Sequence, residues 1–390
     1  MNGSSNSRMV SNRVHSAGSK LTALICIQGG GARGGWQGAI LEELLAPSSS
    51  LSPVAAFGSS AGAINCVLIN SKLQHGKATA FADYWLQVPK HRLRNSVLLI
   101  LASICNFPLV FARLLRYCAS PVSRRRLPGI VPYNAFRWVL TNRLPQHFEA
   151  KIHTYMYTTD IDKDAPPLVI DDQNLASFLW KPNTAVAEVI LDGANGNIAI
   201  SDAVAMSSCL PSIVPAKLDG RHVADGGIYS NLPLDVVHSH GSLGADAIFF
   251  LLATPVFTLC PATEFIDWRT VVLLRRLKAE QLLAQRRSHR GQAGVCPAHA
   301  ISPIFLIQPS SPLRSGRLCG FLRNDLMKQD FESGKTLGQH LRSLVSDFCN
   351  GNHAAMQSLE LVSVKLPHTP IHPPPLRQWW VNFVNLKWKN

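Results

Sequence analysis

The sequence predicts a three-layer α/β/α fold around a mainly parallel central sheet, with a basic and apolar helical insertion. Three observations carry that expectation. Leu21 to Gln28 (LTALICIQ) is a short, nearly all-apolar run that ends in glycines, the pattern of a strand buried on both faces. Val54 to Phe57 is a second such run, again closed by a glycine-rich turn. An apolar helix follows each, over Trp36–Leu45 and Ala63–Asn70, and strand–turn–helix repeated in this way builds a parallel sheet.

Further strands are expected at Ile152–Thr158, Val186–Leu191, Ala247–Ala253 and Pro303–Ile307. Residues 90–130 break the alternation. They are basic and apolar and read as a helical insertion or lid, with an exposed loop from Ser120 to Pro128 around Arg124, Arg125 and Arg126. A basic helix over Leu273–Arg287 leads into a loop at Gly291–Pro297, and a helix over Phe321–Val345 closes the fold. The chain then divides into a disordered tail (1–20), a main α/β domain (21–253, with its insertion at about 90–130), an α/β extension completing the fold (254–345) and a Pro-rich, aromatic and basic tail (346–390).

Composition narrows the function classes. The 390 residues are 46% apolar, enough for a large core, and only 16% charged, which is low. Such a chain has either an extensive α/β core or surfaces that meet lipid. The net charge of +14 draws anionic partners, nucleic acid or anionic membrane, unless it is simply a solvated basic surface. The nine cysteines (Cys26, Cys66, Cys105, Cys118, Cys209, Cys260, Cys296, Cys319 and Cys349) are scattered and form no C-x-x-C pair, so neither a zinc site nor a disulfide framework follows. Met1 to Lys20 lacks the apolar stretch of a secretory signal. A cytoplasmic protein with reduced thiols is expected, attached peripherally to membrane if at all. Ser96 to Ala112 is the most apolar run, but Asn106 and Pro108 interrupt it and Arg92, Arg94, Arg113 and Arg116 flank it. It reads as a buried or lid helix, or as a segment that dips into a membrane.

Two glycine-rich turns carry chemistry. Gly58-x-Ser60-x-Gly62 has the spacing of a nucleophile elbow, a tight strand-to-helix turn that needs small residues around a strained serine. The turn sets the serine Oγ at a helix N-terminus, where negative charge is favoured. The other turn, Gly29-Gly30-Gly31-Ala32-Arg33-Gly34, exposes several backbone N–H groups just before a helix. A phosphate loop would need G-x-x-x-x-G-K-[ST], which is absent. A dinucleotide fingerprint fits Gly29, Gly31 and Gly34, yet the next strand ends in Gly58-Ser59-Ser60 and not in an acidic residue for a ribose. An oxyanion hole fits best, because a serine lies just beyond the neighbouring strand.

A serine nucleophile needs a base. His238, His240, His289 and His299 are late histidines without a strand-end context. Val223-Ala224-Asp225-Gly226-Gly227, in contrast, sets a carboxylate between an apolar strand end and two glycines, a pattern also common in plain turns.

In this order, GGGARGGWQGAILEEL, GSSAG and ADGGIYSNLPL resemble the three signature blocks of patatin-like phospholipases, over about residues 21–253. Met206-Ser207-Ser208-Cys209-Leu210-Pro211 resembles a fourth stretch of that family, with Met where Ala is usual, and Phe331-Glu332-Ser333-Gly334 is loosely similar to its closing helix. The resemblance implies a Ser–Asp dyad of Ser60 (nucleophile) and Asp225 (proton acceptor). It implies an oxyanion hole from Gly29, Gly30, Gly31, Arg33 and Gly34, with Gly58, Gly62, Gly226 and Gly227 as supporting glycines. A carboxylate titrates near 4. It serves as a base for serine only if an apolar site raises it or it bonds closely to Oγ, and the apolar neighbours of Asp225 suit that. Arg33 is expected to add positive charge near the oxyanion. The implied reaction is ester hydrolysis of an acyl lipid through an acyl-enzyme, with no metal and no diffusible cofactor. Acyl transfer to another alcohol by the same dyad is the alternative within enzymes. A non-enzymatic basic protein binding membrane or nucleic acid is the alternative outside them, though no nucleic-acid-binding motif is present. The tail over Leu376–Asn390, with Trp379, Trp380, Phe383 and Trp388 among Arg377, Lys387 and Lys389, is a candidate contact with an anionic membrane.

Overall fold

The computed structural model describes residues 19–76, 80–87, 95, 97–105, 131–145, 151–160, 186–190, 200–209, 214, 216–218, 221–227, 231–233, 244–256, 265–289, 302–315, 321 and 323–366. Residues 1–18 of the terminal tail expected at 1–20, the loops at 120–128 and 291–297, His238, His240, His299 and the aromatic tail at 376–390 lie outside them.

Four parallel pairings form the centre of the sheet. Strand β1 (Leu21–Ile27) lies between β2 (Leu51–Ser59) and β7 (Ala247–Leu251). β2 pairs onward with β3 (His153–Asp160), and β7 with β8 (Ile304–Ile307). At the C-terminal end of β3 the direction reverses: β6 (Arg221–Asp225) pairs with it antiparallel, and β5 (Ala216–Leu218) pairs antiparallel with β6. The order is β5-β6-β3-β2-β1-β7-β8, and β4 (Val186–Ile190) also pairs antiparallel with β3.

Burial on both faces explains the all-apolar strands. In β1, Leu21, Ala23, Ile25 and Ile27 face one cluster, while Leu24 and Cys26 face another. The first cluster holds Trp36 and Ile40 from α1 (Gly34–Leu44), Val67 from α2 (Ala61–His75), and Phe331, Leu341 and Val345 from a long helix over Asn324–Cys349. The second holds Val271, Leu274 and Leu277 from the basic helix, which runs over Phe265–His289. These are the three layers, and each such buried side chain contributes about 1.5–3 kcal/mol. The closing helix meets α1 at backbone distance. A Cβ on Gly334 would collide with the Trp36 carbonyl, and one on Gly338 would stand 2.9 Å from Glu43 Cβ.

Trp85, on the short helix α3 (Ala80–Trp85), fixes how the two functional turns sit together. Its ring fills the space beside Gly34, 2.6 Å from where a Cβ would stand. Its Nε1–H donates to Asn65 Oδ1 (2.8 Å), and Asn65 Nδ2 donates to the Gly34 carbonyl (3.0 Å). α1 and α2 therefore start side by side. Of the insertion, residues 97–105 are helical (α4) and residues 106–130 are outside the described part. Two further helices bear on the site, α5 (Tyr133–Thr141) and α6 (Ile200–Ser207). Arg137 Nη1 bonds both oxygens of Asp202 (2.8 and 2.9 Å), and Tyr133 Oη donates to Asp202 Oδ1 (2.9 Å), which ties α5 to α6. Among the described residues no helix is long and apolar enough to cross a membrane.

Candidate active site

The first half of the site is the turn between β2 and α2. Ser60 has φ 55° and ψ −120°, and no other described non-glycine residue has a positive φ. Such a backbone costs about 1–3 kcal/mol and persists only where its surroundings impose it. Here they do. A Cβ on Gly58 would strike the Gly62 backbone, and one on Gly62 would strike the Ile27 carbonyl, so strand and helix meet with no room for side chains. The Ser60 carbonyl accepts from Ala63 N–H (3.0 Å) and so begins the helix. Serine at this position commonly caps its helix with its own hydroxyl, but Ser60 makes no such bond. Ser60 stands half-buried at the positive end of α2.

The second half is the end of β6. Asp225 is 6% exposed and lies opposite Thr158 of β3, and Ser59 lies opposite the preceding residue, Tyr157. Because β4 pairs with Thr158 and Thr159 on the opposite edge, β2 and β6 end against one edge of β3, which brings Ser60 and Asp225 to the same place at its C-terminal end. Residues 207–209, at the end of α6, bind both. Ser60 N–H donates to the Ser207 carbonyl (3.2 Å) and to Ser207 Oγ (3.0 Å). Asp225 N–H donates to the Cys209 carbonyl (2.6 Å), and Gly226 N–H to the Ser207 carbonyl (3.3 Å). Ser207 Oγ donates in turn to the Tyr157 carbonyl (2.7 Å). The carboxylate accepts Gly227 N–H at Oδ1 (2.7 Å). A Cβ on Gly226 would run into the Tyr157 carbonyl, which accounts for the first glycine after the aspartate. Burial pushes the nearby Cys209 thiol up, and the Asp225 charge adds to that, so Cys209 stays a neutral thiol.

The glycine loop abuts Ser60: the point a Gly29 Cβ would occupy is 3.1 Å from Ser60 Cβ. Its expected N–H donors divide. Gly29 N–H is spent on the Asn231 carbonyl (2.8 Å), Arg33 N–H on the Gly30 carbonyl (3.3 Å), and Gly34 N–H on the carbonyls of Gly31 and Ala32. Those three N–H groups are thus engaged within the protein. Gly30 and Gly31 keep N–H groups without a backbone partner among the described residues, and Gly31 needs its glycine for φ 59°. Arg33 Nη1 donates to Thr254 Oγ1 (2.8 Å) at the end of β7. That bond ties its guanidinium to the segment after β7.

Reading the sequence left out Ser207 and Asn231 as parts of the site, although both stand inside the quoted motif stretches. A buried serine that links two strand ends has no spacing signature of its own. His289 ends the basic helix.

A serine on a strained strand–helix turn, an aspartate at a neighbouring strand end and a glycine loop before a helix thus stand together on an α/β/α fold. A family model described as patatin-like phospholipase matches residues 25–238, more than half of the chain. The chain belongs to the patatin-like phospholipase family and has its three-layer fold, and the family is one of lipid-hydrolysing esterases. No curated protein matches the chain. Among solved structures, VipD from Legionella pneumophila aligns over 81% of this chain and 67% of its own, at 12% identity and a TM-score of 0.30.

Proposed function

We propose that the chain hydrolyses carboxylic esters of lipids, phospholipids among them, through an acyl-enzyme on a Ser60–Asp225 dyad. Ser60 Oγ attacks the ester carbonyl and gives its proton to Asp225. The N–H groups of Gly30 and Gly31 hold the oxygen that becomes negative. The tetrahedral intermediate collapses, and the alcohol leaves with the proton from Asp225. Water then attacks the acyl-enzyme, with Asp225 taking its proton, and returns the hydrogen to Ser60 as the fatty acid departs. The observation that carries this reading is the strained Ser60, whose hydroxyl makes no capping bond. The deciding experiment is a lipid panel followed by mass spectrometry with Ser60→Ala as control. Free fatty acid released by the wild type and absent with Ser60→Ala is the expected result. Equal release by both would overturn the reading, and acyl chains recovered on an added alcohol in place of water would make the enzyme a transferase.

The same proposal places the enzyme at an anionic lipid surface. On α4, Val97, Ile100, Leu101 and Ile104 are 44%, 57%, 55% and 62% exposed and recur at helical spacing, an apolar stripe turned to solvent. Lys90, Arg92 and Arg94 precede it in the chain, the pairing of apolar face and basic residues that suits an interfacial helix. Sedimentation with anionic vesicles should lose most of the bound protein for Ile100→Glu/Ile104→Glu, with hydrolysis of a water-soluble ester unchanged. Equal binding of variant and wild type would remove α4 from the proposal and leave the aromatic tail, tested by deleting 376–390.

A further inference from the structure

Asn231 is buried where the two halves of the site meet. It is 8% exposed, and its carbonyl accepts the Gly29 N–H at 2.8 Å. Its side chain touches both halves. Oδ1 lies 2.6 Å from the point that a Cβ on Gly29 would occupy, and Ser60 Cβ lies 3.1 Å from that same point. Oδ1 also lies 2.9 Å from the point that a Cβ on Gly227 would occupy, which is equally 2.9 Å from Asp225 Oδ1. The amide therefore sits between the glycine loop and the base, close to the carboxylate, in a space that two glycines leave open. Burying an amide is unfavourable unless its polarity is used. An apolar residue would fill the space equally well if packing were all that mattered.

We propose that Asn231 is a positioning residue: it locks the Gly29 loop to the Asp225 turn and so holds the oxyanion donors and the carboxylate in one arrangement about Ser60. This rests on the Ser60–Asp225 reading. The role needs a group that is polar, compact and uncharged. A leucine of similar size keeps the volume and the backbone carbonyl and loses the amide. An aspartate keeps shape and polarity but sets a second carboxylate beside Asp225, and like charges at that range hold one of the pair protonated to higher pH.

The test compares Asn231→Leu and Asn231→Asp with wild type on a soluble ester across pH, with circular dichroism and thermal melting to confirm folding. Asn231→Leu should lower kcat about 10–100-fold and change KM little, the scale of a misplaced catalytic group. Asn231→Asp should move the acidic limb of kcat/KM upward by about one pH unit. Above that limb it should recover most of kcat, whereas Asn231→Leu recovers at no pH. A kcat for Asn231→Leu within about twofold of wild type, or an unmoved limb for Asn231→Asp, would overturn the proposal. If Asn231→Leu fails to fold, the limb of Asn231→Asp decides alone. Asp225→Asn separates this from the parent reading. Activity in Asp225→Asn sinks the dyad itself, while an inactive Asp225→Asn beside wild-type-like Asn231 variants sinks only the role of Asn231.

Discussion

The two halves of the proposed site, the nucleophile half at Ser60 and the base half at Asp225, are built in opposite ways. Ser60 stands in one uninterrupted strand–turn–helix, β2 to α2, and the two glycines that permit it are two residues away on either side. Asp225 ends an antiparallel strand and owes its place to chain far from it in sequence: Thr158 across the strand pair, and Ser207 to Cys209 behind it. The first half is a local device that a short motif can encode. The second is a tertiary assembly, and its weak points are hydrogen bonds to residues that no motif marks as chemical.

The largest expected effects fall on the groups the halves contribute. Ser60→Ala and Asp225→Ala should each cut kcat on a p-nitrophenyl ester by at least about 10³-fold with folding intact, and the double variant should be little worse than either, since the two act as a unit. Multiplying losses in the double variant would mean the halves act independently. If Asp225→Ala stays active, the base lies elsewhere, with His238 and His240 next to be tested.

The glycine loop is local like the elbow, so its damage should be confined to chemistry. Gly31→Val puts a branched side chain on φ 59° and disturbs an N–H donor. Losing one such donor costs about 3 kcal/mol, roughly 10²-fold in kcat. Steady-state kinetics should show this in kcat and not in KM. A loss in KM alone would make the loop a substrate-binding element.

Ser207→Ala probes the link between the halves. It removes an acceptor for Ser60 N–H and the buried donor to the Tyr157 carbonyl. Leaving that buried carbonyl short of a partner costs about 1–3 kcal/mol of stability. Because the Ser207 carbonyl still holds Ser60 and Gly226, kcat should fall only about tenfold, near 1.4 kcal/mol. Urea melts and kinetics together test this, and an unchanged kcat would show that the elbow needs no support from the base half.

The smallest effect concerns the outer brace, where α5 holds α6. Burial first, and then the hydrogen bond from Tyr133 to Asp202, push the Tyr133 phenol well above its usual range; burial does the same to Tyr84. Both phenols ionise higher in the folded chain than in the unfolded one. Their stabilisation is therefore complete below the unfolded pKa of about 10 and declines as pH climbs past it. Tyr133→Phe should flatten that alkaline decline in a melting series. An unaltered slope would show that the brace does not couple to pH.

Much of the fold was legible because the strands are buried on both faces and read as apolar runs: β1, β2, β3, β4, β7 and β8 each fall within a residue or a few of their expected bounds. The short helices Ala80–Trp85, Tyr133–Thr141 and Ile200–Ser207 were not legible. They are only six to nine residues long and are tied down by side-chain contacts to distant chain, such as Trp85 with Asn65 and Tyr133 with Asp202. The reversal of direction at β6 was equally hidden, since strand spacing in sequence does not state which way a returning strand runs.

By itself the sequence placed Ser60 on a strand-to-helix turn and the glycine loop between a strand and a helix, because a strained turn, a close backbone approach and a positive φ each demand particular residues at particular spacings. Only the tertiary structure decided which N–H groups of that loop stay open. Hydrogen-bond partners such as the Asn231 carbonyl on Gly29 come from chain some two hundred residues away, and a donor is available or spent according to what the fold brings against it.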